Sequence, residues 1–334
     1  MYFTSKINPV FYIAEVGSNH EGSFTEAKRL VINACASDAD VVKLQIFKAD
    51  NLVSKKFDNN RYEHFKRLEL SVSQNIDLCK IIKLNKKLCS ASIWDVDQIE
   101  VFKKYIDIYK IGSGDIHNFQ IIRKIISLRK PIIISTGLSS MLDIKETLNF
   151  INKFDKNYIK SGRLSILHCN TAYPTPKEDS YLGTINYLEN FFNITVGFSD
   201  HSIGDEIITY AFIARAKIVE KHFSNNPLRK TFRDHLISLD KKSVNKYLAK
   251  IRVINEYLKI KKNISSSERI QKNFNSFRRS IYVKKNIKKN EFFSEKNIIS
   301  LRPYKKISSK FFFNFIGKKS KKYYKQGQVI NEKQ

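Results

Sequence analysis

Two lysines stand where lysine is costly. Lys43 interrupts the apolar run Val41-Val42-Lys43-Leu44, and Lys110 interrupts Ile108-Tyr109-Lys110-Ile111. An ammonium withdrawn from water is unfavourable unless an anion pairs with it, so each lysine implies a negative partner. Gln45 follows Lys43 by two residues and faces the same side of an extended chain. Lys110 is followed by Gly112-Ser113-Gly114-Asp115, and further apolar runs end at Ser135 and Ser199. Two ammonium groups with the hydroxyls of Ser113, Ser135 and Ser199 form a clamp for phosphate and carboxylate. The plainer alternative is that each lysine reaches solvent or pairs with a neighbouring acid of the protein.

A second set is suited to a cation. His201 and His222 each close an apolar run, and Glu15 and Asp234 supply carboxylates. Neutral imidazoles with carboxylate or water partners suit Mn²⁺, Mg²⁺, Fe²⁺ or Zn²⁺, and two nitrogens favour Mn²⁺ over Mg²⁺. His168 closes another run. Its neighbour Cys169 is expected to point away from these groups, because adjacent residues of a strand face opposite ways.

Something must bring these side chains together. Apolar runs recur at 11–14, 41–44, 88–92, 108–111, 131–134, 164–167, 194–196 and 218–219. Stretches of helical periodicity, such as 25–36, 97–104 and 144–152, lie between them. Eight alternations over about 240 residues predict a (β/α)8 TIM barrel, whose chemistry sits at the C-terminal strand ends. A doubly wound open sheet fits less well, since no G-x-G-x-x-G turn follows the first run. The barrel is expected over 1–260, its last helix running from 243 to about 261. A linker at 261–276 should lead to a small, mainly β module at 277–334, with strands at 280–283 and 297–301.

Composition narrows the class. The chain of 334 residues is 42% hydrophobic, and nothing approaches the roughly 18 consecutive apolar residues of a membrane span. No secretory signal pattern is visible, so the expected location is the cytoplasm. Cys35, Cys79, Cys89 and Cys169 form no C-x-x-C pair and read as buried thiols. The net charge of +28 reads as a bias toward lysine spread along the chain, since no nucleic-acid-binding motif accompanies it.

In order and position, these strings resemble the sialic acid synthase (NeuB) family. The matching segments are Ala14-Glu15-Val16-Gly17-Ser18-Asn19-His20-Glu21-Gly22, Val42-Lys43-Leu44-Gln45 and Tyr109-Lys110-Ile111-Gly112-Ser113-Gly114-Asp115. Ile134-Ser135-Thr136-Gly137, Leu167-His168-Cys169-Asn170-Thr171-Ala172-Tyr173-Pro174, Gly197-Phe198-Ser199-Asp200-His201 and Glu220-Lys221-His222-Phe223 complete the series. The tail, from Arg278-Arg279-Ser280 to Leu301-Arg302-Pro303, is similar to the family's antifreeze-like (SAF) domain. The resemblance implies a metal-dependent transferase that forms a C–C bond between phosphoenolpyruvate and an N-acylated amino sugar, giving a nonulosonic acid for cell-surface carbohydrate. By motif position, Lys43, Lys110, Ser113, Ser135 and Ser199 would hold phosphoenolpyruvate. His201 and His222 would hold the metal, Mn²⁺ with Mg²⁺ or Co²⁺ as alternatives. Glu15, Gln45, Tyr173 and Asp234 would contact the sugar, with Glu15 and Asp234 also counted in the catalytic group beside the histidines. Arg302 would come from the partner's SAF domain in a domain-swapped homodimer. N-acetylmannosamine is the first sugar implied. The segment from Arg61 to Leu70 is closer to the sialic and legionaminic branches than to the pseudaminic one.

Three departures matter. Ser90-Ala91-Ser92-Ile93-Trp94 replaces the family's Ser-Thr-Pro-Phe segment, so one phosphate-binding hydroxyl is expected to be displaced or lost at Ala91. Tyr304-Lys305-Lys306 replaces a glycine-rich turn after Arg302-Pro303. Arg229-Lys230-Thr231-Phe232-Arg233 replaces a proline- and glycine-rich approach to Asp234. Two other readings compete. A Schiff-base aldolase using Lys110 would leave the paired histidines and the second lysine unexplained. A silent barrel acting as a basic binding protein would be marked by loss of the clamp, and Lys43, Lys110, His201 and His222 are all present.

Overall fold

The computed structural model describes residues 2–260 and 273–332. The chain divides into two compact units, Met1–Leu258 and Lys259–Gln334. In the first, eight parallel strands close into a barrel in sequence order: β1 (Phe11–Glu15), β2 (Val41–Ile46), β3 (Leu88–Ile93), β4 (Ile108–Ile111), β5 (Ile132–Ser135), β6 (Leu164–Cys169), β7 (Thr195–Asp200) and β8 (Ile218–His222). β1 closes the ring on β8, with Phe11 opposite Ile218 and Glu15 opposite His222.

Most strands run further than their apolar runs suggested, and the reason is functional. β8 continues through Glu220 and His222, and β7 through Ser199 and Asp200. These polar residues break the hydrophobic signal but keep the backbone ladder, because their side chains point into the barrel mouth or onto a buried partner. Between strands, helices start at side-chain caps that satisfy otherwise orphaned backbone N–H groups. Ser23 caps Phe24–Cys35, and Ser71 with Gln74 forms a capping box on Val72–Leu84. Helix Phe119–Ser127 lays Ile121, Ile122, Ile125 and Ile126 against the strands, as a helical apolar stripe must.

Alternation along each strand sorts the residues. Tyr12, Ala14, Val42, Leu44, Ala91 and Tyr109 face outward and join the helices in one large core. Inside, Phe11, Ile13, Val41, Ile108, Ile133, Leu167 and Ile218 fill the base, and Phe3 plugs it edge-to-face on Phe11 at 6.2 Å. The interior is therefore apolar at its base and polar at the strands' C-terminal ends. Gly197 belongs to this packing: a Cβ there would lie 2.4 Å from Ile218 O and 2.6 Å from the Leu167 side chain. Gly197→Ala is expected to destabilise the barrel by about 1–3 kcal/mol through overpacking, seen as a lowered melting temperature. An unchanged melting temperature would show that β7 and β8 separate freely at this level.

The second unit holds an antiparallel pair, β9 (Ser280–Val283) and β10 (Ile298–Leu301), over a small core of Ile281, Val283, Ile287, Phe293, Ile298, Phe315, Tyr324 and Ile330. Isolated bridges such as Tyr282 with Val329 and Ile287 with Tyr324 extend it. Most of the expected linker, 261–276, lies outside the described residues; a helix, Asn273–Phe277, spans its end and the first residue of the expected module. The positive charge is not evenly spread. After Leu258 the sole acids of the sequence are Glu268, Glu291, Glu295 and Glu332, set among many lysines, so the basic excess is greatest in this unit.

Candidate active site

The polar end of the barrel opens into a cavity of about 490 Å³ whose walls include Glu15, Lys43, Gln45, Lys110, Ser113, Ser135, Tyr173, Ser199, His201, Glu220, His222 and Asp234. Every site residue expected on the barrel lines it; Arg302 belongs to the second unit. That arginine stands on the second unit, after β10, with its guanidinium 5.6 Å from the centre of the Phe277 ring.

Both lysines are buried, and both find partners. Lys43 Nζ lies 2.8 Å from Glu15 Oε1 and 3.2 Å from Glu220 Oε1. Lys110 Nζ donates to Ser135 Oγ at 2.6 Å and to Ile111 O at 3.2 Å, and lies 3.6 Å from the same Glu220 oxygen. Both lysines line the cavity, and acids of the protein pair with them, as the plainer alternative expects. Burial alone would favour a neutral Lys43, but Glu15 and Glu220 outweigh it and raise its pKa. For Lys110 burial prevails over the attraction of Glu220, and its pKa is lowered. Burial pushes the Glu15 carboxyl up, yet Lys43, His222 and Lys110 more than reverse this and hold it below the usual carboxylate range.

Glu220 was passed over in the sequence, although the signal was there. It precedes His222 by two residues on one strand, so the two must share a face. Ser199 Oγ donates to Glu220 Oε1 at 3.1 Å, while Glu220 Oε2 is buried with no hydrogen-bond partner among the described residues.

Strand six corrects the expectation. Cys169 faces the cavity, with Sγ 3.9 Å from His201 Nδ1, whereas His168 points outward to Ser180 O at 2.9 Å. The inward register of β6 is set by Leu167 in the barrel base, and Cys169, two residues on, must follow it. The Cys169 thiol is pushed up by burial, but its contact with His201 prevails and lowers its pKa. On strand three Ala91 packs outward, while Ser92 lines the cavity. A hydroxyl is therefore kept at that end of β3.

The histidines sit side by side, ring centres 5.7 Å apart. His201 Nδ1 lies 2.7 Å from Asn170 O, which places the proton on Nδ1 and leaves the Nε2 lone pair available. His222 Nδ1 is buried without a hydrogen-bond partner among the described residues, 3.9 Å from Asp234 Oδ2, and its Nε2 is 3.6 Å from Glu15 Oε2. Gly17, at a positive φ of 55°, lets the β1 loop close over this ring, since a Cβ there would lie 3.3 Å from it. An unsatisfied imidazole nitrogen beside a second histidine and a carboxylate has the donor set of a divalent-metal site. Among the described residues, the three-residue group with ligand atoms within 4.8 Å of one another is a different one, His117, Asp143 and Glu146. It is largely exposed and outside the cavity lining, so it does not serve the chemistry of the barrel mouth.

Over the metal-like pair, Tyr173 stacks on His201 at 4.0 Å, and the Arg233 guanidinium covers Tyr173 at 4.6 Å. Gln45 Nε2 donates to Glu15 Oε1 at 2.9 Å, and Gln45 Oε1 accepts from Ser18 Oγ at 3.1 Å. Ser113 Oγ accepts from Gly137 N at 3.1 Å. The rim adds Arg61, His64, Phe65 and Leu68 from helix Asn59–Leu68, and Phe232, which lies parallel to His64 at 6.0 Å.

Two buried lysines and two histidines thus meet at the mouth of a closed (β/α)8 barrel. The model of the NeuB family matches residues 30–263, and the chain belongs to that family. It is 35% identical to an N,N'-diacetyllegionaminic acid synthase of Campylobacter jejuni, over 96% of this chain and 98% of that one. A pseudaminic acid synthase of the same species is 31% identical over 97% and 96% of the two chains. Among solved structures, an N-acetylneuraminic acid synthetase of Leptospira borgpetersenii is 28% identical, with a TM-score of 0.69 over 80% of this chain and 92% of that one. No helix among the described residues is long and apolar enough to cross a membrane.

Proposed function

We propose that the protein is a nonulosonic acid synthase that condenses phosphoenolpyruvate with N-acetylmannosamine or a related N-acyl amino sugar and water, releasing phosphate. The observation that carries this reading is the joint placement of Lys43 and Lys110, buried at one mouth with Ser135 and Ser199, across from His201 and His222. The named activities of the relatives support it.

In this reading Lys43, Lys110, Ser113, Ser135 and Ser199 bind the phosphate and carboxylate of phosphoenolpyruvate, and Ser92 is a further hydroxyl at hand. Glu15, Gln45, Tyr173 and Asp234 orient the open-chain sugar. C3 of phosphoenolpyruvate attacks the aldehyde carbon, water adds at C2, and the tetrahedral intermediate expels phosphate, whose charge the lysines offset. His201 and His222 would hold a divalent ion, most suitably Mn²⁺, which when bound supplies Lewis-acid polarisation of the aldehyde. The rim helix with Arg61, His64 and Phe65 would read the far end of the sugar, which sets the choice between N-acetylmannosamine and a 6-deoxy diacetamido sugar. The second unit would act as the SAF domain of a domain-swapped homodimer and bring Arg302 to the partner's sugar.

The test is phosphate release from phosphoenolpyruvate with each sugar in turn, with Mn²⁺ and with a chelator. Release with one N-acyl sugar, abolished by chelation and restored by Mn²⁺, is expected; release with none of them would sink the proposal. His201→Ala and His222→Ala are each expected to weaken Mn²⁺ binding by at least about tenfold, since loss of mere supporting contacts already costs that much. Direct titration of Mn²⁺ reads this without turnover, and unaltered affinity in both variants would place the ion elsewhere.

A further inference from the structure

We propose that Glu220 is a resident counter-anion: its carboxylate occupies the lysine clamp until the substrate's phosphate displaces it. The inference rests on the reading of the mouth as a phosphoenolpyruvate site and adds to it a built-in competitor for that anion.

The geometry shows which groups Glu220 occupies. One oxygen, Oε1, gathers Lys43 Nζ at 3.2 Å, Lys110 Nζ at 3.6 Å and the Ser199 hydroxyl at 3.1 Å. These are three of the donors assigned to the incoming anion. The other oxygen has no hydrogen-bond partner among the described residues, although Glu220 is only 1% exposed. Glu15, the second carboxylate on Lys43, is tied down separately by Gln45 at 2.9 Å. Glu220 is held instead by Ser199 and the two lysines, the very donors assigned to the anion, and it lines the cavity.

A purely structural buried carboxylate looks different, and this chain contains one. Asp200 has both oxygens engaged: Oδ1 by Ser202 N at 3.0 Å, and Oδ2 by Ser202 Oγ at 3.0 Å and by Lys221. Glu220 instead leaves a buried oxygen unsatisfied, which disfavours its present position. The charge balance points the same way. Two lysines already face two carboxylates, so a phosphate dianion entering the same donors meets net repulsion unless one carboxylate withdraws. The clamp is thereby kept charged and ordered when empty, at the cost of affinity when filled.

Glu220→Gln keeps the shape and removes the charge. It is expected to tighten binding of phosphoenolpyruvate and of inorganic phosphate by about tenfold in titration calorimetry, equivalent to about 1.4 kcal/mol, with a matching fall in KM for phosphoenolpyruvate. A residue that only positions the lysines would give the opposite, weaker binding of both anions, and equal or weaker binding by the folded variant overturns the proposal. The unmodified protein provides an independent check. A crystal structure with phosphate bound should show the Glu220 carboxylate beyond salt-bridge distance of Lys43; phosphate on the lysines with Glu220 still in place overturns the proposal too. If the unmodified protein binds neither anion, the phosphoenolpyruvate reading fails and takes this one with it. If it binds both and Glu220→Gln binds them no more tightly, this inference alone fails.

Discussion

Lys43→Met is expected to lower kcat/KM for phosphoenolpyruvate by about a thousandfold or more. Removal of a single preorganised donor from a site that stabilises developing charge costs about 10²–10³ in rate, and Lys43 contributes a full charge in a dry setting. Its ammonium touches two carboxylates of the mouth, Glu15 at 2.8 Å and Glu220 at 3.2 Å. The variant therefore loses attraction for the substrate and leaves two negative charges facing it. Stability should fall as well, because a buried carboxylate without its partner is costly, so circular dichroism must accompany the kinetics. Lys43→Arg separates the two effects: it keeps the charge but presents a planar fork where a compact ammonium fits. It should fold and still turn over poorly. Retention of activity within about tenfold in Lys43→Met, with fold intact, would remove the clamp from the mechanism.

The largest effect on stability is expected elsewhere, at Lys221 and Asp200. Glu220 and His222 face the barrel interior, so Lys221 between them faces outward, where it is fully buried against Asp200 and donates to Ser202 O at 2.5 Å. Lys221→Met or Asp200→Ala strips one charge from this pair and is expected to cost about 3–5 kcal/mol. The Asp200 change should fall toward the upper end, because Asp200 also accepts from Ser202 N and Oγ. Replacing both charged residues with apolar ones should recover part of the loss, since the desolvation cost disappears with the pair. Unfolding curves of the three variants decide it; single variants within about 1 kcal/mol of the parent would show that water reaches the pair.

Much of this was legible in the sequence because the barrel enforces strict alternation. Lys43 and Gln45 share a face, as their spacing demanded, and the apolar runs located all eight strands. What the runs hid was strand length. A polar residue in a strand reads as the end of that strand, yet at a barrel mouth it marks the part that matters, as Ser199 and Glu220 show. The same alternation, applied more strictly, would have found Glu220 from His222 and would have turned Cys169 inward in place of His168. Strand six departs from the expectation because Leu167, packed in the barrel base, fixes the register and turns Cys169 to the cavity. Ala91 is the converse case: a departure in a motif whose side chain faces the helices and not the cavity. Rim contacts such as Phe232 against His64 join residues far apart in sequence, and no local pattern encodes that meeting.

The most direct measurement follows one reaction with phosphoenolpyruvate labelled with ¹⁸O at the oxygen bridging C2 and phosphorus, together with the N-acyl sugar and Mn²⁺. Attack by C3 followed by water at C2 requires one phosphate per sugar acid, with the label leaving in the phosphate. Label retained in the sugar acid, or phosphate released without a sugar acid, would contradict C–O cleavage at this site and with it the synthase reading.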